Sequence, residues 1–309
     1  MASNFEIRFA PQVSRALKQR RPIVALESTV LAHGLPFPLN LQTARECEEA
    51  VSAQGAIPAT IAIIDGTPMI GLDNNQLQLL ASGLSPSGLP IEKVGLNNLA
   101  GVSSKQRWGA TTAASTLHIA RAAGIQVFST GGIGGIHRRV IESFDISADL
   151  TALARVPLIA VCAGAKAILD LPKTVEHLET LGVPIIGFET DEFPAFYSRT
   201  SGLPVDITVN SADEAARLAI RHWSLGLETA VLICAPIPKE SELPAAEVER
   251  LIDEAIEMAG RAGVRGKALT PFLLSQLENL SMGRTLEANR ALLLNNARIA
   301  ARIASNLPD

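Results

Sequence analysis

The sequence predicts an α/β protein, with a largely parallel or mixed sheet covered by helices and a helical carboxyl-terminal part. Three observations predict it. Charge-free apolar runs at residues 23–26, 59–64, 157–162 and 230–235 are too short for helices and read as strands buried on both faces. Segments with helical apolar spacing alternate with them as far as Pro238. Beyond residue 245 the strand-like runs cease, and helical patterns cover 245–262, 271–280 and 286–304.

A chain of 309 residues that is 47% hydrophobic and 19% charged has enough apolar material for a large core. It carries no internal repeat, low-complexity tract or linker, so a single domain over 1–309 is expected. The net charge of −4 is mild, and basic and aromatic residues are not interleaved, which argues against a nucleic-acid surface and for a small ligand. Cys47, Cys162 and Cys234 lie far apart, the last two inside apolar runs, as buried thiols of a reducing compartment do. The opening MASNFEIRFAPQVSRAL lacks a signal-peptide core, and no later run reaches the roughly 18 apolar residues of a membrane span. A cytoplasmic protein is the expectation.

In chain order, the strand at 23–26 runs directly into Glu27. After a Pro36 to Pro38 turn, Asn40 is placed to cap a helix to about Ala53, which Gly55 ends. A strand over 59–64 meets the turn Asp65-Gly66 and returns as an antiparallel partner over 69–72. Asp73 starts a short helix, residues 83–90 form a surface loop, and Lys93 enters a brief strand or turn. The small residues of 109–123 read as one helix, closed by Gly124 before a strand at 126–129. Residues 130–138 follow, with four glycines in five positions that permit tight turns and leave backbone amides open to an anion. Asp149 is placed to cap a helix from Leu150. The buried strand 157–162 then leads through Ala163, Gly164 and Ala165 to Lys166. Downstream come a helix at 175–181, a strand at 183–188, an irregular segment at 189–199, a strand at 205–209, a helix at 211–222 and the strand 230–235.

Open α/β sheets bind ligands beyond the carboxyl ends of their strands. That rule would gather Glu27, Lys93, Thr130, His137, Asp145, Asp149 and Lys166. A half-buried lysine with only small neighbours can shed its proton and attack a carbonyl; Lys166 is either such a nucleophile or a solvated lysine at a helix start. Glu27 is either a catalytic carboxyl or one satisfied by nearby amides. His137 either donates to a phosphate or caps Asp145. Asp145 and Asp149, four apart, either share a hard divalent ion through oxygen ligands or leave Asp149 as a plain helix cap. GxxxxGK[ST], HExxH and GxSxG are all absent, which disfavours nucleoside triphosphate hydrolysis, a zinc protease site and a serine elbow.

Seven segments together resemble the pseudouridine-5′-phosphate glycosidase family, which includes indigoidine-synthase-A-like proteins: 24–37 (VALESTVLAHGLPF), 55–64 (GAIPATIAII), 109–116 (GATTAAST), 127–137 (VFSTGGIGGIH), 144–150 (FDISADL), 161–171 (VCAGAKAILDL) and 270–274 (TPFLL). The resemblance implies a three-layer α/β/α fold with a central mixed sheet, a homotrimer, and Mn²⁺-dependent, reversible cleavage of pseudouridine 5′-phosphate to uracil and ribose 5-phosphate. It further implies that Lys166 is the covalent lysine, Glu27 the proton donor and Asp145 the metal ligand. Lys93, Thr112, Ala113, Ser147, Ala148 and Asp149 would contact substrate, Thr130 and His137 the phosphate, and Asn289 the base. The chain departs from the family pattern at Ala113, where valine is usual, and in residues 95–100, which contain no arginine. Two other readings of the same lysine are a Schiff-base aldolase acting on a phosphosugar and a non-catalytic phosphosugar-binding protein.

Overall fold

The computed structural model describes residues 6–308. In chain order the elements are β1 (Arg8–Phe9), α1 (Pro11–Lys18), β2 (Ile23–Leu26), a π-helical turn (Val30–Gly34), α2 (Leu39–Ser52), β3 (Ile57–Ile64), β4 (Thr67–Ile70), α3 (Asn74–Ser82), β5 (Glu92–Val94), α4 (Leu99–Ser104), β6 (Gly109–Thr111) and α5 (Ala113–Ala122). They continue with β7 (Val127–Ser129), α6 (Val140–Ser143), α7 (Ala148–Leu153), β8 (Ile159–Cys162), α8 (Leu171–Thr180), β9 (Ile185–Phe188), β10 (Ile207–Val209), α9 (Ala212–Ser224), β11 (Val231–Cys234), α10 (Ala245–Arg261), α11 (Leu269–Leu280) and α12 (Arg284–Ala304).

The strands form one mixed sheet in the order β1-β4-β3-β2-β7-β8-β11-β9-β10, with β6 also pairing to β3 and β5 to β6. From β3 across to β10 every neighbouring pair is parallel, whereas β3 meets β4 and β6 antiparallel. The connections β2 to β3 and β10 to β11 cross the sheet one way, and β7 to β8 and β8 to β9 cross it the other. Right-handed crossovers therefore put α2 and α9 on one face and α7 and α8 on the opposite one. Helix α12 joins the first layer by packing on α2 and α9, and α5 joins the second by packing on α7. The result is the three-layer α/β/α arrangement expected.

The direction of winding reverses between β2 and β7, and that reversal opens a crevice beyond their carboxyl ends. The parallel register aligns Leu26 with Ser129 and Ser129 with Val161. Glu27 and Thr130 thus leave the sheet side by side, with the Lys166 segment one strand further on.

Several local expectations are corrected. Residues 109–123 are not one helix: Gly109–Thr111 is a strand and the helix starts at Ala113. The β-branched pair Thr111 and Thr112 favours extension, and a Cβ on Gly109 would come within 2.3 Å of Val94, so only glycine lets β6 lie against β5. Asn40 does not cap α2, whose N-cap is Pro38. Buried in the first turn, it instead donates to the carbonyls of Leu31 (2.7 Å) and Ala81 (2.9 Å), tying the π-helical turn to α3. Asp149 does not cap α7 either; the Ser147 hydroxyl does, by accepting from the Asp149 amide. Lys166 lies before, not in, the next helix, which starts at Leu171 with Asp170 as its cap. Helices α1, α4 and α6 and the π-helical turn fall in segments that the sequence pattern leaves unassigned.

Candidate active site

The crevice between the ends of β2, β7 and β8 holds a cavity of about 240 Å³. Its wall includes eleven of the twelve residues singled out from the sequence: Glu27, Lys93, Thr112, Ala113, Thr130, His137, Ser147, Ala148, Asp149, Lys166 and Asn289. The exception is Asp145, which stands behind the wall with its carboxylate 3.9 Å from His137 Nε2. Strand ends supply Glu27, Thr130 and Lys166, β5 supplies Lys93, the start of α5 supplies Thr112 and Ala113, and α12 supplies Asn289.

The two carboxylates in this wall are held differently. The Thr130 hydroxyl donates to Glu27 Oε1. Burial raises the Glu27 pKa above the ordinary 4.5; among the opposing influences Lys166 is the strongest, followed by the Thr130 hydrogen bond. A carboxyl so placed is poised to keep and give a proton. Asp149, 6% exposed, has both oxygens engaged by backbone: Oδ1 accepts from the Ala114 amide (2.9 Å) and Oδ2 from the Gly134 amide (2.8 Å). It locks the start of α5 to the glycine loop, and its oxygens are already committed to those amides.

The glycine loop is built for close approach rather than for unusual dihedrals, because none of its four glycines has a positive φ. A Cβ on Gly132 would sit 2.6 Å from the Phe196 ring, one on Gly134 2.2 Å from the Ser147 hydroxyl, and one on Gly135 2.5 Å from that of Thr174. Several of its amides are already bonded and not open to an anion. Those of Ile133, Gly134 and Ile136 donate to the Gly164 carbonyl, Asp149 and Thr174. The expected amide cradle is reduced rather than removed: the Gly131, Gly132 and Gly135 amides donate to no acceptor among the described residues, and Gly131 and Gly132 line the cavity. Asn296, fully buried on α12, adds a clamp by donating to the Thr130 carbonyl at 2.8 Å.

His137 is 8% exposed, and burial lowers its pKa below the usual 6.5, with Asp145 pulling upward and Lys166 and Lys93 downward. A neutral imidazole beside a carboxylate can accept or donate, as the tautomer allows. His33, Asn97, Asn98, Thr270, Pro271 and Leu274 also line the cavity. His33 lies inside the family-like segment 24–37 but was not singled out there, and the two asparagines carried no signal in the sequence; each joins the site through the π-helical turn or the β5 to α4 connection. Asn98 fixes that connection by donating to the Lys93 carbonyl and accepting from the Gly95 amide. Among the described residues no group of three or more His, Cys, Asp or Glu side chains is arranged to hold a metal. Of the Asp145 and Asp149 pair, only Asp149 has its carboxylate bonded to backbone amides; the Asp145 carboxylate accepts no backbone amide among the described residues.

Comparison with known proteins gives a consistent result. A family model described as "Indigoidine synthase A like protein" matches residues 12–306. The chain is 52% identical to the pseudouridine-5′-phosphate glycosidase of Caldanaerobacter subterraneus subsp. tengcongensis, over 97% of this chain and 96% of that one. With the protein of the same name from Solibacter usitatus it shares 49% identity, over 97% and 99%. Among solved structures it resembles the prealnumycin C-glycosynthase AlnA in complex with ribulose 5-phosphate, with a TM-score of 0.88, 38% identity and coverage of 97% and 96%. It also resembles an indigoidine synthase A-like protein from Thermotoga maritima, with a TM-score of 0.85, 34% identity and coverage of 96% and 95%.

Proposed function

The chain belongs to the indigoidine synthase A like family, and we propose that its cavity reversibly cleaves the carbon–carbon glycosidic bond of pseudouridine 5′-phosphate, giving uracil and ribose 5-phosphate. The observation that carries this reading is the pairing, at one switch point, of a lysine with a carboxyl biased toward its protonated form. Near-full-length similarity to proteins named for this reaction supports it. So does the relative solved with a pentulose phosphate, a C-glycoside-forming protein by name.

The leaving atom is carbon 5 of uracil, which cannot take the bonding electrons as readily as a nitrogen does. A lysine offers a lower route. Glu27 protonates the ribose ring oxygen as the bond from C1′ to that oxygen breaks, and the Lys166 amine adds at C1′. The amine gives up its proton to the Glu27 carboxylate, which can return it to carbon 5 of the base in the next step. Carbon 5 of the base is then protonated; the C1′ to C5 bond breaks, its electrons stay with uracil, and the lysine nitrogen lone pair forms the iminium. Water hydrolyses that iminium, releasing ribose 5-phosphate and the free amine. His137, Thr130 and Lys93 position the phosphate, and Asn289 reads the base, so that binding energy remote from the breaking bond orients the sugar. Asp145 would hold Mn²⁺, a hard ion that would supply positive charge to an anionic substrate. Its other ligands would be oxygens, waters among them. A homotrimer is part of the same reading, to be checked by sedimentation.

The test incubates the protein and Mn²⁺ with pseudouridine 5′-phosphate and follows uracil. Expected are uracil release, its loss in Lys166→Met, and borohydride trapping of ribose 5-phosphate on the peptide carrying Lys166. Aldehyde release from another phosphosugar without uracil would show an aldolase, and binding without turnover would show a phosphosugar-binding protein.

A further inference from the structure

Glu27 stands in a wall between two cavities. Behind the reaction cavity lies a smaller one of about 30 Å³, bounded in part by Leu26, Asn40, Thr43, Cys47 and Leu293, and sharing Glu27 and Thr130 with the larger. That is above the roughly 10–15 Å³ of accessible space a cavity needs to hold one water. Thr43 lies inside α2 at 1% exposure, and its hydroxyl has no hydrogen-bond partner among the described residues. Leaving a buried hydroxyl unpaired is unfavourable, so such a group marks a place where a partner belongs. The other polar walls narrow the choice. The Asn40 amide already donates to Leu31 and Ala81, and its oxygen accepts from the Leu41 amide. Burial pushes the Cys47 thiol up to about 12, so it stays neutral. The Thr60 hydroxyl donates to Glu48. What remains to share a water with Thr43 is the Ser129 hydroxyl, the Glu27 carboxyl and the Thr130 oxygen that bonds it.

We propose that Thr43 positions a water molecule behind Glu27, and that this water, by donating to the carboxyl from the side away from substrate, orients the proton donor. The proposal rests on the reading of Glu27 as the proton donor. Thr43 touches neither substrate nor reacting atoms and is a positioning residue. The charged or titratable groups acting on Glu27 are Lys166 beyond β8, Lys93 on β5 and Asp149 at the start of α7, with Cys47 of α2 facing the rear cavity. None of these is altered by a change at Thr43. A donor water favours the ionised carboxyl, so losing it raises the Glu27 pKa further.

The experiment compares Thr43→Val, equal in shape but without the hydroxyl, with Thr43→Ser, which keeps it. For Thr43→Val we expect kcat for uracil release to fall about tenfold, KM to change less than about twofold, and the basic limb of kcat/KM to move up by about one pH unit. Thr43→Ser should restore all three. A crystal structure of the unliganded protein should show one water within hydrogen-bond distance of Thr43 Oγ1 and the Glu27 carboxylate, and none there in Thr43→Val. A dry cavity in the wild type, an unchanged pH profile in Thr43→Val, or a Thr43→Ser variant as impaired as Thr43→Val would each overturn the proposal. If Thr43→Val does not fold, Thr43→Ala takes its place. The crystallographic arm is independent of turnover: a wild type that holds the water but releases no uracil overturns the reaction, not the water site.

Discussion

Two carboxylates share one cavity and have been given opposite surroundings. At the end of β2, Glu27 has one hydroxyl donor from Thr130 and a pKa raised by burial. At the start of α7, Asp149 accepts from two backbone amides belonging to two different segments. One side chain is left able to exchange a proton, and the other is consumed in holding the walls together. The difference follows from what each strand or helix end presents. Where β2 and β7 part, side chains meet side chains, whereas the glycine loop and the first turn of α5 present bare N–H groups that a carboxylate saturates.

The contrast can be broken experimentally. Removing the exchangeable group should have the largest effect on turnover: Glu27→Gln is expected to lower kcat for uracil release by about 10³-fold. Its thermal midpoint should be no lower than the wild type's. A variant that retains turnover would remove Glu27 from the role of proton donor.

Removing the structural carboxylate should act on stability first. Asp149→Ala strands two buried amides that now donate to a charged acceptor and should cost about 3 kcal/mol in urea unfolding. Activity should fall with it, because the glycine loop and α5 lose their common anchor. An Asp149→Ala protein as stable as the wild type would mean that the two carboxylates do not differ in the way described.

The smallest effect is in pH. A carboxyl with a raised folded pKa contributes stability at low pH that is lost as pH rises through the folded value. The stability of Glu27→Gln relative to wild type should therefore grow from acid to neutral pH. His33 and His137, both lowered by burial, act in the other sense: their contribution is present above about 6.5 and is lost as pH falls through their folded values. Differential scanning calorimetry across pH 4 to 8 separates the two signs, since only the carboxylate contribution vanishes in Glu27→Gln.

Much of this molecule could be read without coordinates. Runs such as VPLIAVC and AVLIC are short, apolar and free of charge, so burial on both faces follows directly from hydration, and parallel α/β architecture follows from their alternation with helices. Strand ends then place Glu27, Thr130 and Lys166 together. The stretch 109–123 reads as one helix and is not, because small residues satisfy both helix and strand spacing; pairing with β3 and β5 decides for strand up to Thr111.

The sequence by itself thus determined the layers of the sheet and, through its strand ends, that Glu27, Thr130 and Lys166 meet at its carboxyl-terminal crevice, because both follow from where the short buried strands stop. Thr112, Ala113, Ser147, Ala148 and Asn289 came only with the family resemblance. Only the tertiary structure decided what those side chains bond to. Asp149 became a clamp rather than a helix cap, the Ile133, Gly134 and Ile136 amides of the glycine loop turned inward, and His33, Asn98 and Asn296 joined or braced the site. Each of these depends on a contact across many residues of chain, and hydrogen-bond partners at that distance leave no trace in local pattern.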